Sequence, residues 1–93
     1  MKIEWDEQKN KLNKIKHGIS FQEAETVFDD KNAIVIYDEQ HSINEERFII
    51  IGMNLFYREL TVSHCYRGDN EDIIRIISAR KATYNEIMLY RRI

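Results

Sequence analysis

The stretch Asp-Ile-Ile-Arg-Ile-Ile-Ser-Ala at residues 72–79 decides the fold of this chain. Its apolar residues occupy both alternating positions, which is typical of a strand buried on both faces of a sheet. Three segments rich in Ile, Val, Phe and Tyr precede it, at residues 33–37, 47–53 and 59–67. Short connections, such as the turn at residues 67–71, join antiparallel neighbours, so the four segments predict an antiparallel meander with residues 72–79 in a central position.

The region before the meander predicts a short strand at residues 2–5 and a helix at residues 7–17. Asp6 is a candidate N-cap, and Gly18 can take the left-handed position that ends a helix. Leu12 and Ile15 provide a narrow apolar stripe, by which we expect the helix to pack.

Two further helices are predicted from capping signatures. Ser20 and Thr83 are each followed three residues later by a glutamate, and apolar residues then recur at helical spacing. The predicted fold is therefore α+β, in the order β-α-α-β-β-β-β-α, with two N-terminal helices, one C-terminal helix and an antiparallel meander sheet of about four to five strands.

Length and composition restrict the class of protein. Ninety-three residues make a single domain, residues 1–93, and 43% hydrophobic residues can form a core. The single Cys65 cannot form an internal disulfide, and with three scattered histidines it argues against a zinc site, so neither metal nor cofactor is expected. The longest apolar run, residues 48–53, is too short to cross a bilayer. We expect a cytoplasmic protein.

Charge is unevenly distributed although the net charge is only −2. Residues 1–18 carry five Lys against three acids, residues 19–57 two basic residues against eight acids, and residues 58–93 seven basic residues against five acids. Any binding to nucleic acid must therefore be local. The acidic middle can meet a basic partner protein or simply be solvated.

The basic residues near the last strand are the first candidates for a phosphate site. Arg80 and Lys81 directly precede a predicted helix N-terminus, where a bound anion would be favourable, although they can equally pair with acids or lie in water. Arg75 lies on a buried strand and needs a carboxylate partner or an open cleft. Arg67, at the end of the preceding strand, can serve the turn or a ligand.

Lys16 and His17 close the first helix, where cations also stabilise the helix dipole. His17 is predicted to be the best exposed of the three histidines and is therefore the candidate for acid–base chemistry. His41 is predicted to be solvated in a polar loop and His64 to lie at the core edge. Trp5 can stack on a base or belong to the core.

Several segments in the same order resemble the BrnT toxins of bacterial type II toxin–antitoxin systems: Ile3-Glu4-Trp5-Asp6, Lys16-His17-Gly18-Ile19-Ser20-Phe21, Val27-Phe28-Asp29-Asp30, Glu46-Arg47 and Arg75-Ile76-Ile77-Ser78-Ala79-Arg80. The resemblance covers nearly the whole chain. It implies a RelE/ParE-like ribonuclease fold and a small endoribonuclease that cleaves mRNA without metal, inhibiting translation and growth. It also implies a cognate antitoxin, a small DNA-binding protein of the BrnA-like ribbon-helix-helix type, through which alone the toxin reaches operator DNA.

By the same analogy, site roles fall on eight residues. The catalytic group comprises His17, Lys16, Arg67 and Arg80, and the substrate-binding group comprises Trp5, Arg75, Lys81 and Tyr84. The helical spacing of Tyr84 also fits a packing residue on an apolar helix face. The nuclease interpretation requires the end of the first helix and the end of the last strand to converge in one basic hollow. It fails if the guanidinium groups lie on separate faces or are each held by a carboxylate. The alternatives are a non-catalytic toxin-fold subunit of a repressor complex and, more weakly, a simple RNA-binding module.

Overall fold

The computed structural model describes residues 1–92, so Ile93, the last residue of the predicted domain, lies outside the described residues. The elements follow the predicted order. They are β1 (Lys2–Glu4), α1 (Glu7–His17), α2 (Phe21–Glu25), β2 (Ile34–Tyr37), β3 (Phe48–Met53), β4 (Glu59–Arg67), β5 (Ile73–Lys81) and α3 (Tyr84–Arg91), with 3₁₀ turns at Thr26–Asp29 and Glu39–His41.

The five strands form one sheet in the order β1-β5-β4-β3-β2. β2 to β5 pair antiparallel as predicted, but β1 pairs parallel to β5, so the sheet is mixed and the prediction of a purely antiparallel sheet is wrong. β1 and β5 are separated in the chain by α1, α2 and three strands, so no hairpin joins them. A long connection of this kind permits parallel pairing. β5 is an interior strand as predicted, although β4 occupies the middle.

The helix ends follow the local signals. The Asp6 carboxylate accepts hydrogen bonds from two backbone N–H groups of the first turn of α1, and Gly18 ends that helix at φ +71°. Ser20 caps α2. Thr83 and Glu86 form the reciprocal capping box at the start of α3, in which each side chain binds the other residue's backbone N–H.

The packing of α1 differs from the prediction. Leu12 and Ile15 are 58% and 83% exposed, whereas Asn10 and Asn13 are buried. The Asn13 amide donates to the carbonyl of Ala79 on β5 at 2.9 Å and accepts from the N–H of Ala79 at 3.1 Å. The helix is therefore fixed to the sheet by buried amide hydrogen bonds and not by an apolar stripe, because a buried backbone group needs a partner wherever the helix approaches it.

Helices cover both faces of the sheet. α1 and α2 enclose the core on one face; its buried members are Ile19, Phe21, Ala24, Val27, Ile50, Leu60, Val62, Ile76 and Ala79. Arg80 follows Ala79 on β5 and therefore points to the opposite face, together with its register partner Thr61. Both side chains bind Glu86 of α3 there, so α3 covers part of this second face. The rest of it contains the groove described below.

Candidate active site

Arg80 is held in place by α3. Its guanidinium binds the Glu86 carboxylate in a bidentate pair at 2.7 and 3.0 Å, and its Nη1 also donates to the carbonyl of Lys81. Although burial alone would raise the pKa of Glu86, hydrogen bonds from Arg80, Thr83 and Thr61 lower it to about 2. Within the described residues, these contacts use three of the five N–H donors of the guanidinium. The other two, one on Nη2 and one on Nε, are available to a ligand.

The other two arginines of the predicted basic hollow lie elsewhere. Arg75 binds Glu4, its register partner on β1, at 2.8 Å, which supplies the carboxylate partner that its buried strand required. Arg67, at the exposed end of β4, pairs with Glu45 at 3.1 Å. Each of the three arginines therefore has a carboxylate neighbour, a condition under which the sequence analysis expected the nuclease interpretation to fail for a hollow built on these residues.

Of the remaining predicted site residues, Lys81 directly follows Arg80, which donates a hydrogen bond to its carbonyl. Lys16 and His17 end α1, whose Asn13 binds the backbone of Ala79, the residue before Arg80. His17 is half-buried whereas His41 is exposed, so the prediction that His17 is the best-exposed histidine is wrong. Trp5 packs edge-on against Phe21 in the core, as the structural alternative for it predicted. Lys81 and Tyr84 are exposed at the junction of β5 and α3, where Tyr84 is 73% exposed. Of the eight predicted residues, Arg80 alone lines a groove on the α3 face of the sheet, which is described next.

The groove lies on the α3 face of the sheet and has a volume of about 180 Å³. Its charged and titratable lining residues are Asp38, His41, Arg47 and Arg80; hydroxyl groups come from Thr61, Ser63 and Ser78, and the apolar lining from Ile49 and Ile77. It thus combines an imidazole, two guanidinium groups and three hydroxyls beside an open surface.

An aspartate–histidine pair forms one wall of the groove. Nδ1 of His41 lies 2.9 Å from Oδ2 of Asp38, and the His41 side chain is 64% exposed while that of Asp38 is 20% exposed. Because an ionised carboxylate can only accept, Nδ1 carries the proton, and in a neutral imidazole Nε2 is then the acceptor. A carboxylate in this position fixes the tautomer and the orientation of an imidazole for acid–base chemistry.

Arg47 faces the same groove with its charge incompletely compensated. Its Nε is buried and has no hydrogen-bond partner within residues 1–92, and the nearest carboxylate, Glu45, lies 3.9 Å away. A buried donor without a partner is costly. The side chain is 33% exposed, so an anion in the groove would be bound by the terminal N–H groups of this guanidinium.

Ser42 holds this part of the site together. Its hydroxyl donates to the carbonyl of Asp38 at 2.6 Å and accepts from the backbone N–H of Arg47 at 2.9 Å. The N–H of Asp38 in turn donates to the carbonyl of Arg47 at 2.9 Å. The loop between β2 and β3 is therefore closed at its base, which brings Asp38, His41 and Arg47 to the same edge of the sheet.

The described residues contain no group of three or more His, Cys, Asp or Glu side chains arranged to hold a metal ion. Likewise, none of the helices over residues 1–92 is long and apolar enough to span a membrane.

The comparison with known families decides the class of the protein. The model of a family described as the ribonuclease toxin BrnT of type II toxin–antitoxin systems matches residues 5–86. The chain belongs to the BrnT family of ribonuclease toxins. The matched range contains the whole groove, from Asp38 to Arg80, and Glu86 as well.

A solved structure supports the membership. The crystal structure of the Brucella abortus ribonuclease toxin BrnT at 1.1 Å resolution is similar to this BrnT-family chain with a TM-score of 0.68 and 28% sequence identity, over 89% of this chain and 97% of that one. No curated protein sequence matches the chain significantly. The fold and the family are thus shared with a ribonuclease toxin.

Two groove residues of this BrnT-family chain escaped the sequence analysis. His41 was predicted to be a solvated loop histidine. Arg47 was named only within the Glu46-Arg47 segment of the family resemblance. The spacing Asp38-x-x-His41 directly after a strand is the available signal, because it places the two side chains within one turn of each other. The proximity of Arg47 depends on the closure of a ten-residue loop and has no local signature.

Proposed function

We propose that the chain is an endoribonuclease toxin that cleaves mRNA without a metal ion and thereby inhibits translation and growth in the cytoplasm. The observation that carries the proposal is the pairing of His41 with Asp38 at 2.9 Å opposite Arg47 and Arg80 in one groove. Membership of a ribonuclease toxin family agrees with it. We place acid–base catalysis on His41 in place of His17 and Lys16.

The chemistry requires few groups. In RNA cleavage without metal, the 2′-oxygen bonds to the adjacent phosphorus while the bond from phosphorus to the 5′-oxygen breaks. Nε2 of His41 accepts the proton of the 2′-hydroxyl, and the departing 5′-oxygen takes a proton from water. No side-chain nucleophile is needed, because the attacking oxygen belongs to the substrate.

The arginines stabilise the charge that develops on the phosphate. Arg47, whose side chain is 33% exposed, offers its terminal guanidinium N–H groups, and Arg80 offers the two N–H groups that Glu86 and Lys81 do not use. Glu86 offsets part of the charge of Arg80 but fixes its orientation. Donors that are oriented before the reaction stabilise the transition state without reorganisation, which is the largest contribution in many enzymes.

Family membership also implies a cognate antitoxin for a type II system. We propose that this partner is a small DNA-binding protein of the BrnA-like ribbon-helix-helix type, that it neutralises the toxin, and that the complex reaches operator DNA only through it. We also propose that the fold of the chain is of the RelE/ParE-like ribonuclease type.

The test is cleavage of RNA by the purified chain in the presence of EDTA. We expect turnover, with products that end in a 2′,3′-cyclic phosphate and a 5′-hydroxyl. Arg47→Gln should lower kcat/KM about 100-fold, the usual loss for one oriented donor. Arg91→Gln is the matched control, because Arg91 pairs with Glu59 outside the groove, and it should retain activity.

The second candidate is a non-catalytic subunit of a repressor complex. The carboxylate partners of Arg67, Arg75 and Arg80 favour it, because paired guanidinium groups bind phosphate less readily. It predicts complex formation without RNA turnover. Under the nuclease proposal, in contrast, Arg80→Ala restores the growth of cells that express the chain.

A further inference from the structure

The turn between β3 and β4 exposes three consecutive apolar residues. Leu55, Phe56 and Tyr57, here called the hairpin tip, are 70%, 69% and 84% exposed. Single exposed apolar side chains are common on protein surfaces, but a contiguous group indicates an interaction site.

The hairpin tip is held rigidly from below. Asn54 is buried, and its side-chain oxygen accepts from the backbone N–H groups of Phe56 and Arg58, each at 2.9 Å. Its side-chain nitrogen donates to Glu23 of α2, which also pairs with Arg58 at 3.1 Å. An apolar surface that is already ordered loses little conformational entropy on binding.

The backbone of the hairpin tip is also strained. Tyr57 has φ +63°, a left-handed conformation that costs a non-glycine residue about 1–2 kcal/mol. A glycine would remove this strain, yet the position carries a large aromatic side chain that points into solvent. Strain that is retained at an exposed aromatic residue is typical of functional surfaces.

A groove of about 450 Å³ lies beside the hairpin tip. It is lined by Leu55 and Tyr57 of the tip, by the apolar groups of Met53 and Tyr90, and by two acidic residues, Asp29 and Asp30. Although burial alone would raise the pKa of Asp30, hydrogen bonds from Tyr90 and from the backbone of Met53 and Asn32 lower it, so that it is ionised at neutral pH. The charged side chains that line this second groove are thus both negative.

We infer that the hairpin tip and the adjacent acidic groove form the docking surface for the cognate antitoxin, and that the antitoxin presents a basic amphipathic segment to it. Its apolar side chains contact Leu55, Phe56 and Tyr57, and its Lys or Arg side chains face Asp29 and Asp30. The inference rests on the partner in the proposed function, because a type II family implies a protein antitoxin. It does not depend on RNA cleavage.

The docking surface is separate from the catalytic groove. The two grooves share no lining residue, and α3 lies between them, with Glu86 binding Arg80 near one groove and Tyr90 lining the other. Substitutions in the hairpin tip should therefore change antitoxin binding and leave RNA cleavage intact.

The test measures the binding of the full chain to the protein encoded next to the toxin gene, together with RNA cleavage by the same preparations. Phe56→Asp should raise Kd at least about 30-fold, as expected for an aromatic hot spot, and should cleave RNA at the rate of the unmodified chain. Ile15→Asp is the matched control, because Ile15 is 83% exposed on α1, and it should bind normally. Asp29→Lys should raise Kd about tenfold at low salt and less at high salt.

Several outcomes would overturn the inference while leaving the nuclease proposal intact. They are unchanged binding by Phe56→Asp, absence of binding by the unmodified chain, and a Phe56→Asp variant that loses only RNA affinity. A concentration-dependent dimer of the chain that Phe56→Asp abolishes, with partner binding unchanged, would assign the surface to self-association. If the unmodified chain binds the partner and Phe56→Asp does not, but neither cleaves RNA, docking is supported and the nuclease proposal fails.

Discussion

Replacing Glu86 with glutamine isolates the charge of the residue that links Arg80, Thr61 and the start of α3. Glutamine keeps the shape and can still serve in a capping box, so the substitution removes chiefly the ion pair. The pKa of Glu86 is lowered from 4.5 to about 2, which corresponds to about 3 kcal/mol of stabilisation at neutral pH. Because the Arg80 side chain is 42% exposed, solvent screening reduces the expected effect to about 1–2 kcal/mol.

The pH dependence gives this prediction its sign. A carboxylate with a lowered pKa in the folded state stabilises the protein above the pKa of the unfolded chain, and this stabilisation is lost as the pH falls from 4.5 toward about 2. Glu86→Gln should therefore lower the melting temperature by about 5–15 °C at pH 7 and by little at pH 2.5. Glu46→Gln, at an exposed site with the same charge change, is the control. The reasoning would be refuted if Glu86→Gln did not lower the melting temperature at pH 7, or if it lowered the melting temperature equally at pH 2.5.

Three further predictions concern stability. Asn13→Ala leaves backbone groups of Ala79 without partners and should cost about 2–4 kcal/mol in urea unfolding, and an effect below about 1 kcal/mol would show that water replaces the amide. Burial lowers the pKa of His64, so stability should fall as the pH drops below about 6.5, where the unfolded chain gains a proton; His64→Gln should flatten that slope, and an unchanged slope would contradict the assignment. Gly52→Ala places a Cβ 2.9 Å from Val27 and should cost about 1–3 kcal/mol by thermal melting, unless the neighbouring residues move apart freely.

Local signals in the sequence predicted most of the secondary structure. The order of the elements, α1 at residues 7–17, the caps at Asp6 and Gly18, and β4 at residues 59–67 are confirmed. Each depends on side chains that act on backbone groups a few residues away, or on alternation along one strand. The parallel pairing of β1 with β5 is not local, because it depends on where the helices return the chain.

The packing of α1 was beyond prediction for a related reason. Leu12 and Ile15 form an apolar stripe on a helical projection, but the sheet presents the backbone of Ala79 to the helix. Asn13 can satisfy an N–H and a carbonyl there, whereas a leucine cannot. The buried face of α1 was therefore set by an unpaired backbone segment 66 residues away in the chain.

Part of the candidate site was accessible from the sequence and part was not. Arg80 was identified from its position before a helix N-terminus, but its bidentate contact with Glu86 depends on the capping geometry of α3. His41 and Arg47 were missed because their proximity depends on the hydrogen bonds of Ser42 across a loop. His17 was favoured because it was expected to be the best-exposed histidine, but it is half-buried and His41 is exposed. Its place in the last turn of α1 is explained by the helix dipole.

The most direct test of the account compares RNA cleavage by two histidine variants of the full chain, His41→Asn and His17→Asn. The account places acid–base catalysis on His41, so His41→Asn should lower the single-turnover rate by about 10²–10⁴-fold, whereas His17→Asn should remain within a few-fold of the unmodified chain. Normal cleavage by His41→Asn together with loss of cleavage by His17→Asn would contradict the assignment of the groove and return catalysis to the end of α1.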